Sequence, residues 1–425
     1  MRLHYDCDPV WEERLAPLRD RCLQGPQGQC CSELRQATGL NRPQKEADWR
    51  RLEELAEEFR TEADLFILVG VGGSNQGARA VAEALRSELR GPEICYLGRG
   101  CSPEVYRRAL ERLDRSRSPY VQVIAKNFRT LEPGLAFRLL RDYMERRFGP
   151  DESRRRFVLT GSEGAEELGG LAARYGYRQL PFPAEAGGRF SVFTNVGLFP
   201  LAVAGLDVRA FYQAGRDCLE ACAQGRRDVL EQVATAAAER WVRAREGYVV
   251  ETLCFFEERL EALARWWRQL VGESEGKLGQ GIFPSYCSFT EDLHSMGQYL
   301  QEGRPLSAEL FLCVGQPGQD LVLPGSAVED GFSHLAGWSL NAVNAAAQEA
   351  TIRAHRAAGR PLSLVQLPSL GLEELGELLM FWMLTEVQSC RLFDLPAYNQ
   401  PGVEAYKQEM QGLLKSSESG VRAAD

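Results

Sequence analysis

Histidine is scarce in this chain of 425 residues, which contains only four, and no two of its twelve cysteines form a C-x-x-C pair. Structural zinc sites need closely spaced sets of such ligands, so the sequence predicts no metal site. Cys218 and Cys222 share a helical face, but two thiols do not complete a zinc shell. We therefore expect free thiols in a reduced, cytoplasmic protein.

Long apolar runs and a positive net charge are also missing. The longest apolar stretches, such as LFILVGVGG and LLMFWML, are far shorter than the ~20 residues that cross a bilayer. The first residues, MRLHYDCDPVWEERL, lack the basic-then-apolar order of a signal peptide. The 50 basic and 59 acidic side chains give a net charge of −9, which disfavours binding to nucleic acid. We expect neither a membrane nor a nucleic acid as a partner.

Apolar runs that alternate with helix-like segments indicate an α/β fold. Buried strands are predicted at 65–71, 93–98, 120–125, 311–315 and 362–368. Continuous apolar runs of this length suit a parallel sheet that is covered on both faces. The predicted organisation is an N-terminal helical segment (1–55), a first α/β domain (56–235), a second α/β domain with C-terminal helices (236–410) and a frayed tail (411–425).

Two loops that join a predicted strand to a predicted helix are suited to binding an anion. Glycines at 70, 72 and 73 let the backbone approach a ligand, and the helix that follows offers unpaired N–H groups. The second loop follows the strand at 120–125 and is rich in cationic and polar donors. The candidate binding residues of these loops are Gly73, Ser74, Lys126, Asn127, Arg129 and Thr130. A tight turn and a solvated loop are the alternatives.

Four further segments carry candidate catalytic side chains. Arg189 lies beside the paired glycines 187 and 188, and its planar guanidinium could point into a pocket. The glycine-rich loop expected at 272–277 contains two glutamates, Glu273 and Glu275, either of which could act as a general base. The other candidates, each of which has a purely structural or solvated alternative, are His294, Gln400 and Lys407.

Taken together, these segments resemble the glucose-6-phosphate isomerase (phosphoglucose isomerase) family. The specific stretches are GGRFSVFTNVGLFPLAVAGLD, GESEGK, GIFPSYCSFTEDLHSMGQYLQEG and QPGVEAYK, and the ordered match spans roughly residues 60 to 410. The resemblance implies two sugar-isomerase (SIS-type) domains, each a parallel sheet flanked by helices in a three-layer α/β/α sandwich. It also implies a homodimer, a sugar phosphate as substrate, and neither a metal nor a redox cofactor.

The resemblance assigns a role to individual residues. Glu273 is the base that moves a proton between C1 and C2, and Arg189 is the cation beside the enediolate oxygens. His294 opens the sugar ring and comes from the partner subunit. The resemblance implies contacts to the sugar or its phosphate from Lys407, Gln400, Ser74, Lys126 and Thr130. The motifs themselves add Gly73, Gly188, Asn127 and Arg129 as candidate binding residues.

The phosphate loop departs from the family pattern. Small or hydroxyl residues are typical where this chain has Ala125, Asn127, Arg129 and Leu131. A hydrogen bond to a charged group is worth ~1.5–3 kcal/mol, so missing hydroxyls could weaken phosphate binding. We expect binding to be retained, because Arg129 offers a charged and bidentate replacement. Two alternatives are an isomerase of altered specificity, which favours another sugar phosphate or also accepts mannose 6-phosphate, and a sugar-phosphate-binding protein with feeble catalysis.

Asn195 is a further departure, because the family generally has alanine or proline at this position.

Overall fold

A computed structural model describes residues 4–7, 9–24, 27–41, 44–126, 130–162, 168–326, 328 and 330–416. Within those ranges, no helix combines the length and the apolar composition that a bilayer span requires.

The described residues form ten strands and sixteen α-helices. The strands are His4–Asp6 (β1), Leu65–Val69 (β2), Glu93–Leu97 (β3), Pro119–Ile124 (β4), Phe157–Ser162 (β5), Arg178–Phe182 (β6), Val250–Phe255 (β7), Phe283–Ser288 (β8), Ser307–Gln316 (β9) and Leu362–Ser369 (β10). The helices up to β6 are Glu12–Gln24 (α1), Gln27–Thr38 (α2), Glu46–Glu62 (α3), Gly73–Ala84 (α4), Pro103–Arg115 (α5), Leu131–Phe148 (α6), Pro150–Arg155 (α7) and Gly169–Tyr175 (α8). The later helices are Asn195–Val203 (α9), Val208–Ala223 (α10), Arg227–Arg245 (α11), Glu261–Glu275 (α12), Gly297–Glu302 (α13), Leu340–Ala357 (α14), Leu372–Leu392 (α15) and Glu404–Ser416 (α16).

The strands form two five-stranded sheets, which confirms the α/β fold predicted from the sequence. The first sheet has the order β3-β2-β4-β5-β6, and all of its strands are parallel. The second has the order β1-β10-β9-β7-β8. Its strands are parallel except β1, which runs antiparallel to β10 and places Tyr5 opposite Val365.

Helices cover both faces of the first sheet, as the side chains of β2 show. Successive side chains of a strand point to opposite faces. Phe66 and Leu68 enter a large core that also contains α4, whereas Ile67 and Val69 enter a second core formed with α5 and α6. Every residue of β2 is buried, which explains why its sequence is a continuous apolar run rather than an alternating one.

The second sheet repeats this arrangement and shares a core with the first. Leu253 and Phe255 of β7 enter the same large core as Phe66, whereas Cys254 faces a separate cluster with Phe311. The large core therefore lies between the two sheets and is completed by the apolar face of α15.

Three local features differ from the sequence-based expectations. The N-terminal segment, which was expected to be helical, also supplies β1 to the second sheet. A loop was predicted at 272–277, and this prediction is wrong for 272–275, because α12 continues to Glu275 and ends before Gly276. The buried Trp266 and Trp267 hold this helix against the core, and that packing outweighs the glycine at 272. The segment at 411–425 is helical as far as Ser416, and 417–425 lie outside the described residues.

Candidate active site

Arg189 lies at the centre of the candidate site, in the 3₁₀ segment Gly188–Phe193 that links β6 to α9. Only 1% of this residue is exposed, and its guanidinium lies over the Phe190 ring. Burial lowers the pKa of Arg189, and the carboxylate of Glu273 opposes that shift. The five N–H groups of the guanidinium donate to Ser274 Oγ (2.8 Å), Glu273 Oε2 (3.1 Å), Gln400 Oε1 (3.0 Å) and the carbonyls of Asn399 (3.3 Å) and Ala397.

Glu273 faces Arg189 from the last turn of α12. Its Oε2 accepts the hydrogen bond from Arg189, and its Oε1 accepts one from Gln269 Nε2 at 2.8 Å. The two donors hold the carboxylate in one orientation, while 34% of the side chain is exposed. A carboxylate that is oriented yet accessible can take a proton from a ligand.

Glu275, the other glutamate of this segment, points away from Arg189. It is fully buried, its Oε2 lies 3.0 Å from Arg240 Nη2, and it accepts the backbone N–H of Ile282 at 3.2 Å. Two residues along an α-helix correspond to roughly 200° of rotation, which accounts for the opposite directions of the two side chains. Of the two glutamates, Glu273 is the one that contacts Arg189, and its role as the base stays a prediction.

The glycine turn after β2 is in contact with the Arg189 segment. A Cβ atom on Gly73 would lie 2.0 Å from the carbonyl oxygen of Gly188, so only glycine allows this approach. Gly72 has a φ of +55°, and a Cβ there would lie 2.9 Å from Gln269 Nε2. Ser74 follows in the first turn of α4 and is partly exposed. This turn therefore packs against the segment that carries Arg189 and against Gln269, the hydrogen-bond donor of Glu273.

The second anion-binding loop is described only in part. Lys126 follows β4, and its Nζ donates to the carbonyl of Ala186 at 3.0 Å, two residues before Gly188. Desolvation lowers the pKa of Lys126 from its ordinary value. Thr130 is exposed at the N-terminal end of α6. The other two candidates, Asn127 and Arg129, lie outside the described residues.

Several supporting residues were not predicted from the sequence. Gln269 precedes Glu273 by one helical turn, a spacing that the sequence displays but that does not by itself indicate a hydrogen bond. Ser274 is fully buried and receives the Nε–H of Arg189. Lys277 donates to the carbonyl of Pro396 and so holds the segment that carries Gln400.

Two predicted catalytic residues are not brought to Arg189. His294 is exposed at the end of the 3₁₀ segment Glu291–His294. Lys407 lies on α16, where its Nζ donates to Glu404 at 2.8 Å. In the part of the chain that the structure describes, neither His294 nor Lys407 forms a hydrogen bond with Arg189 or Glu273.

Asn195 now has a structural explanation. Asn195 lies at the start of α9, and its Nδ2 donates to the carbonyl of Pro181 at 2.8 Å. The backbone carbonyl of Asn195 accepts a hydrogen bond from Gln122 Nε2 at 3.4 Å. The side chain therefore ties α9 to β6, the strand that leads to Arg189.

Among the described residues, no group of three or more histidine, cysteine, aspartate or glutamate side chains is arranged to hold a metal ion. The absence of a metal and of a cofactor stays a prediction from the sequence.

Known proteins are similar to this chain over most of its length. The Phosphoglucose isomerase family profile matches residues 57–281, which is more than half of the chain. The chain is 40% identical over 387 residues to a glucose-6-phosphate isomerase from Symbiobacterium thermophilum, covering 89% of this chain and 86% of the relative. It is 37% identical over 383 residues to a glucose-6-phosphate isomerase from Heliobacterium modesticaldum, covering 87% and 84%.

Solved structures share the fold along nearly the whole chain. A hypothetical protein from Thermus thermophilus matches with a TM-score of 0.84 at 26% identity, covering 97% of this chain and 99% of that one. A glucose-6-phosphate isomerase from Chlamydia trachomatis matches with a TM-score of 0.83 at 18% identity, covering 98% and 89%. The sequence matches extend over both sheets and over the segments that carry Arg189 and Glu273, and the chain therefore belongs to the phosphoglucose isomerase family.

Proposed function

We propose that the protein is a glucose-6-phosphate isomerase, which interconverts glucose 6-phosphate and fructose 6-phosphate in glycolysis and gluconeogenesis. The observation that carries the proposal is the Arg189–Glu273 pair, in which one accessible carboxylate is held beside one buried guanidinium. An aldose–ketose interconversion needs a base for the C2 proton and a cation for the charge that then develops. Relatives that are 40% and 37% identical carry this name.

Glu273 is proposed to remove the proton from C2 and return it to C1. Its free lone pairs can reach a ligand because the side chain is partly exposed, while Gln269 and Arg189 fix its orientation. Such positioning of a general base is worth typically about 10²–10⁴-fold in rate. Proton transfer leaves an enediolate, whose oxygens carry the negative charge.

Arg189 is proposed to stabilise the enediolate. Since its five N–H groups already have acceptors, a substrate oxygen must replace one of them. Gln400 is the acceptor most easily replaced, because its side chain is neutral and exposed. The four remaining hydrogen bonds keep the guanidinium in place during the exchange. A cation fixed in this way needs little reorganisation when charge develops.

The phosphate group is proposed to bind where the helices α4 and α6 begin. Ser74 and Thr130 lie at these N-terminal ends, where unpaired N–H groups favour an anion. Lys126, which follows β4, is proposed to add a further donor, and Asn127 and Arg129 stay predictions from the sequence. Binding energy from the phosphate positions the sugar over Glu273, although the phosphate itself does not react.

Nuclear magnetic resonance in D₂O tests the reaction. Proton transfer through Glu273 predicts that deuterium from the solvent enters C2 of glucose 6-phosphate during turnover. Conversion without any deuterium incorporation would contradict the proposed role of Glu273. Calorimetric binding of the sugar phosphate without any conversion would instead support the binding protein that the sequence left as an alternative.

Substrate preference is tested separately, because the altered loop at 125–131 was the reason to consider another sugar phosphate. The expected result is a higher kcat/KM for glucose 6-phosphate than for mannose 6-phosphate. The reverse order would favour the isomerase of altered specificity.

We further propose a homodimer in which His294 enters the partner's site and opens the sugar ring. The exposure of His294, and of the large apolar side chains Met296 and Tyr299 beside it, supports this arrangement. Lys407 is proposed to contact the sugar when the site is complete. The cytoplasmic location inferred from the sequence stays part of the proposal.

A complementation experiment tests the shared site. Two inactive variants, Glu273→Gln and His294→Ala, are co-expressed so that mixed dimers form. If His294 acts across the interface, each mixed dimer contains one site with an intact glutamate and an intact histidine, and activity returns. If both residues belong to the same subunit's site, no mixed dimer contains an intact site and activity stays absent. A monomer in sedimentation equilibrium would contradict the dimer directly.

A further inference from the structure

A second arginine cluster lies behind the candidate site and is sealed from solvent. Its centre is Arg240 of α11, which is 6% exposed. Glu251 of β7 forms a hydrogen bond with Arg240 Nη1. Glu275 of α12 and Glu386 of α15 approach Nη2 at 3.0 and 3.5 Å. All three glutamates are buried, and none has an assigned part in the proposed reaction.

The charges of this cluster do not balance. Three ionised glutamates around one guanidinium would leave a net charge of −2 in a region without solvent. The neighbouring Arg243 does not compensate, because it pairs with Glu239, which is also buried. Burying an uncompensated carboxylate is so costly that the group takes up a proton instead. At least one of the three carboxyl groups is therefore expected to be protonated.

The geometry selects Glu386 as the protonated group. Glu251 has the close hydrogen bond to Arg240, and Glu275 has both its ion pair and the N–H of Ile282. Among the described residues, one oxygen of Glu275 (Oε1) and one of Glu386 (Oε2) have no hydrogen-bond partner. The other oxygen of Glu275 carries the ion pair and the backbone hydrogen bond, whereas Glu386 approaches Arg240 only at 3.5 Å. Its Oε1 receives only the weak Sγ–H donor of Cys390 at 3.7 Å.

The electrostatic surroundings agree with this choice: burial raises the pKa of both Glu251 and Glu386, but only that of Glu386 is raised well above the ordinary value. Burial is the largest cause of the shift of Glu386, and the charge of Glu275 raises the pKa further. Arg240 opposes the shift, Glu251 adds to it, and Arg189 opposes it from the side of the candidate site. The opposition is incomplete because Arg240 is shared among three carboxyl groups and none of the five hydrogen bonds of Arg189 goes to Glu386.

We propose that the Arg240 cluster holds a proton on Glu386 at neutral pH, so that the wall behind Arg189 carries one negative charge fewer. An ionised Glu386 would attract the Arg189 guanidinium in competition with Glu273 and with the substrate. When Glu386 is protonated, its neutral side chain does not compete with Glu273 and the substrate for the Arg189 guanidinium. This functional consequence rests on the proposed isomerase activity, whereas the proton itself does not. In this proposal Glu386 does not touch the substrate. Its effect on Arg189 comes from being neutral rather than negatively charged.

Thermal unfolding as a function of pH tests the proton. If Glu386 is protonated in the folded protein and ionised in the unfolded chain, the wild type loses stability as the pH rises above the ordinary glutamate pKa. Glu386→Gln removes this loss, because an amide mimics the neutral acid. The Tm of Glu386→Gln minus that of the wild type should therefore increase steadily from about pH 5 to pH 8. A difference that stays constant over this range would overturn the proposal.

Glu275→Gln is the matched control, since Glu275 belongs to the same cluster but has the 3.0 Å ion pair to Arg240 and the hydrogen bond from Ile282 N–H. Its Tm should lie below that of the wild type by an amount that changes little between pH 6 and pH 8. A pH-dependent rise for Glu275→Gln, with none for Glu386→Gln, would overturn the assignment to Glu386.

Infrared spectroscopy provides a measurement that needs no variant to be as stable as the wild type. The folded wild type at pH 7 should show the carbonyl stretch of a buried protonated carboxyl group, and this band should be absent from Glu386→Gln. A wild type without such a band would overturn the proposal, even if Glu386→Gln failed to fold. A band that survives in Glu386→Gln and disappears in Glu251→Gln would overturn the assignment to Glu386.

Kinetics separate this proposal from the proposed function. The kcat of Glu386→Gln should remain close to that of the wild type, because one neutral group replaces another. A loss of about a hundredfold in kcat with an unchanged Tm would show that Glu386 acts as a charged partner, against the proposal. A wild type with the infrared band but no isomerase activity would support the proton and refute the proposed function.

Discussion

Glu273 and Glu275 lie two residues apart on α12, yet they belong to different arginine clusters. Arg189 has one carboxylate partner, and its other acceptors are neutral oxygen atoms. Arg240 has three carboxyl partners and contributes to a sealed network between α11, α12, α15 and β7. Both arginines are almost fully buried, so burial of the cation does not distinguish the clusters.

The difference lies in the exposure of the carboxylate. Glu273 is 34% exposed and Glu275 is not exposed at all. A group that exchanges a proton with a ligand must be accessible to that ligand. A charged group that joins elements of the fold forms stronger ion pairs when it is sealed from solvent. The comparison predicts that variants of the first cluster change rate and that variants of the second change stability.

The largest expected effect is on the rate of Glu273→Gln. We expect kcat to fall by about 10²–10⁴-fold, because the amide cannot accept the C2 proton. The Tm should change little, since an amide oxygen still accepts the hydrogen bond from Arg189. A coupled assay for fructose 6-phosphate and a thermal melt provide the two measurements. Glu275→Gln should show the opposite pattern, and a Glu273→Gln variant that keeps the wild-type kcat would break the comparison.

Arg240→Met tests the second cluster through stability. Removing one partner of a buried ion pair costs about 3–5 kcal/mol, and here three carboxyl groups lose their cation together. We expect the free energy of unfolding in urea to fall by at least this amount. Arg107→Met is the control, because Arg107 is exposed on α5 and exposed ion pairs contribute about 0–1 kcal/mol. Equal losses for the two variants would contradict the role given to the buried network.

The sequence predicted β2, β4, β9 and β10 because each contains a continuous run of buried side chains, and it also predicted the edge strand β3. It did not predict β5, β6, β7 or β8. All five predicted strands correspond to strands of the structure, namely β2, β3, β4, β9 and β10. It did not predict β1, which has three residues and pairs with a strand more than 350 residues away. Strands that pair across such a distance in the chain leave no pattern in the local sequence. For the same reason, the sequence showed no sign of the Arg240 cluster.

The candidate site was predicted in part. The family resemblance selected Arg189, Glu273 and Gln400, and these residues lie in direct contact. From the local motif alone, Glu273 and Glu275 were equivalent, because their difference depends on which face of α12 is sealed by other elements. Gln269 was missed because a helical spacing of four residues is common, and only the structure shows that it is used.

Gly73→Ala tests the close contact between the glycine turn and the segment that carries Arg189. The added Cβ would lie 2.0 Å from Gly188 O, so the turn and the Arg189 segment must separate. Overpacking of this kind costs about 1–3 kcal/mol, and we expect both Tm and kcat to fall.

Gly188→Ala is the matched variant of Gly73→Ala, since a Cβ on Gly188 has no atom within 4 Å. Its Tm should equal that of the wild type, while KM rises if the open space is where the sugar binds. A destabilised Gly188→Ala, or a Gly73→Ala that is fully stable, would show that the close approach is not maintained in solution.

Ser74→Ala has the smallest expected effect, because a single hydrogen bond to a charged group is worth ~1.5–3 kcal/mol and the backbone donors of α4 remain. We expect KM to rise by about tenfold with kcat unchanged, since the phosphate does not react. Ser87→Ala is the control, because Ser87 is exposed between α4 and β3. Inorganic phosphate as a competitive inhibitor then identifies the contact. If Ser74 binds the phosphate group, the inhibition constant rises in proportion to KM. If the inhibition constant is unchanged while KM rises, Ser74 contacts the sugar, and the anion site lies only at the start of α6.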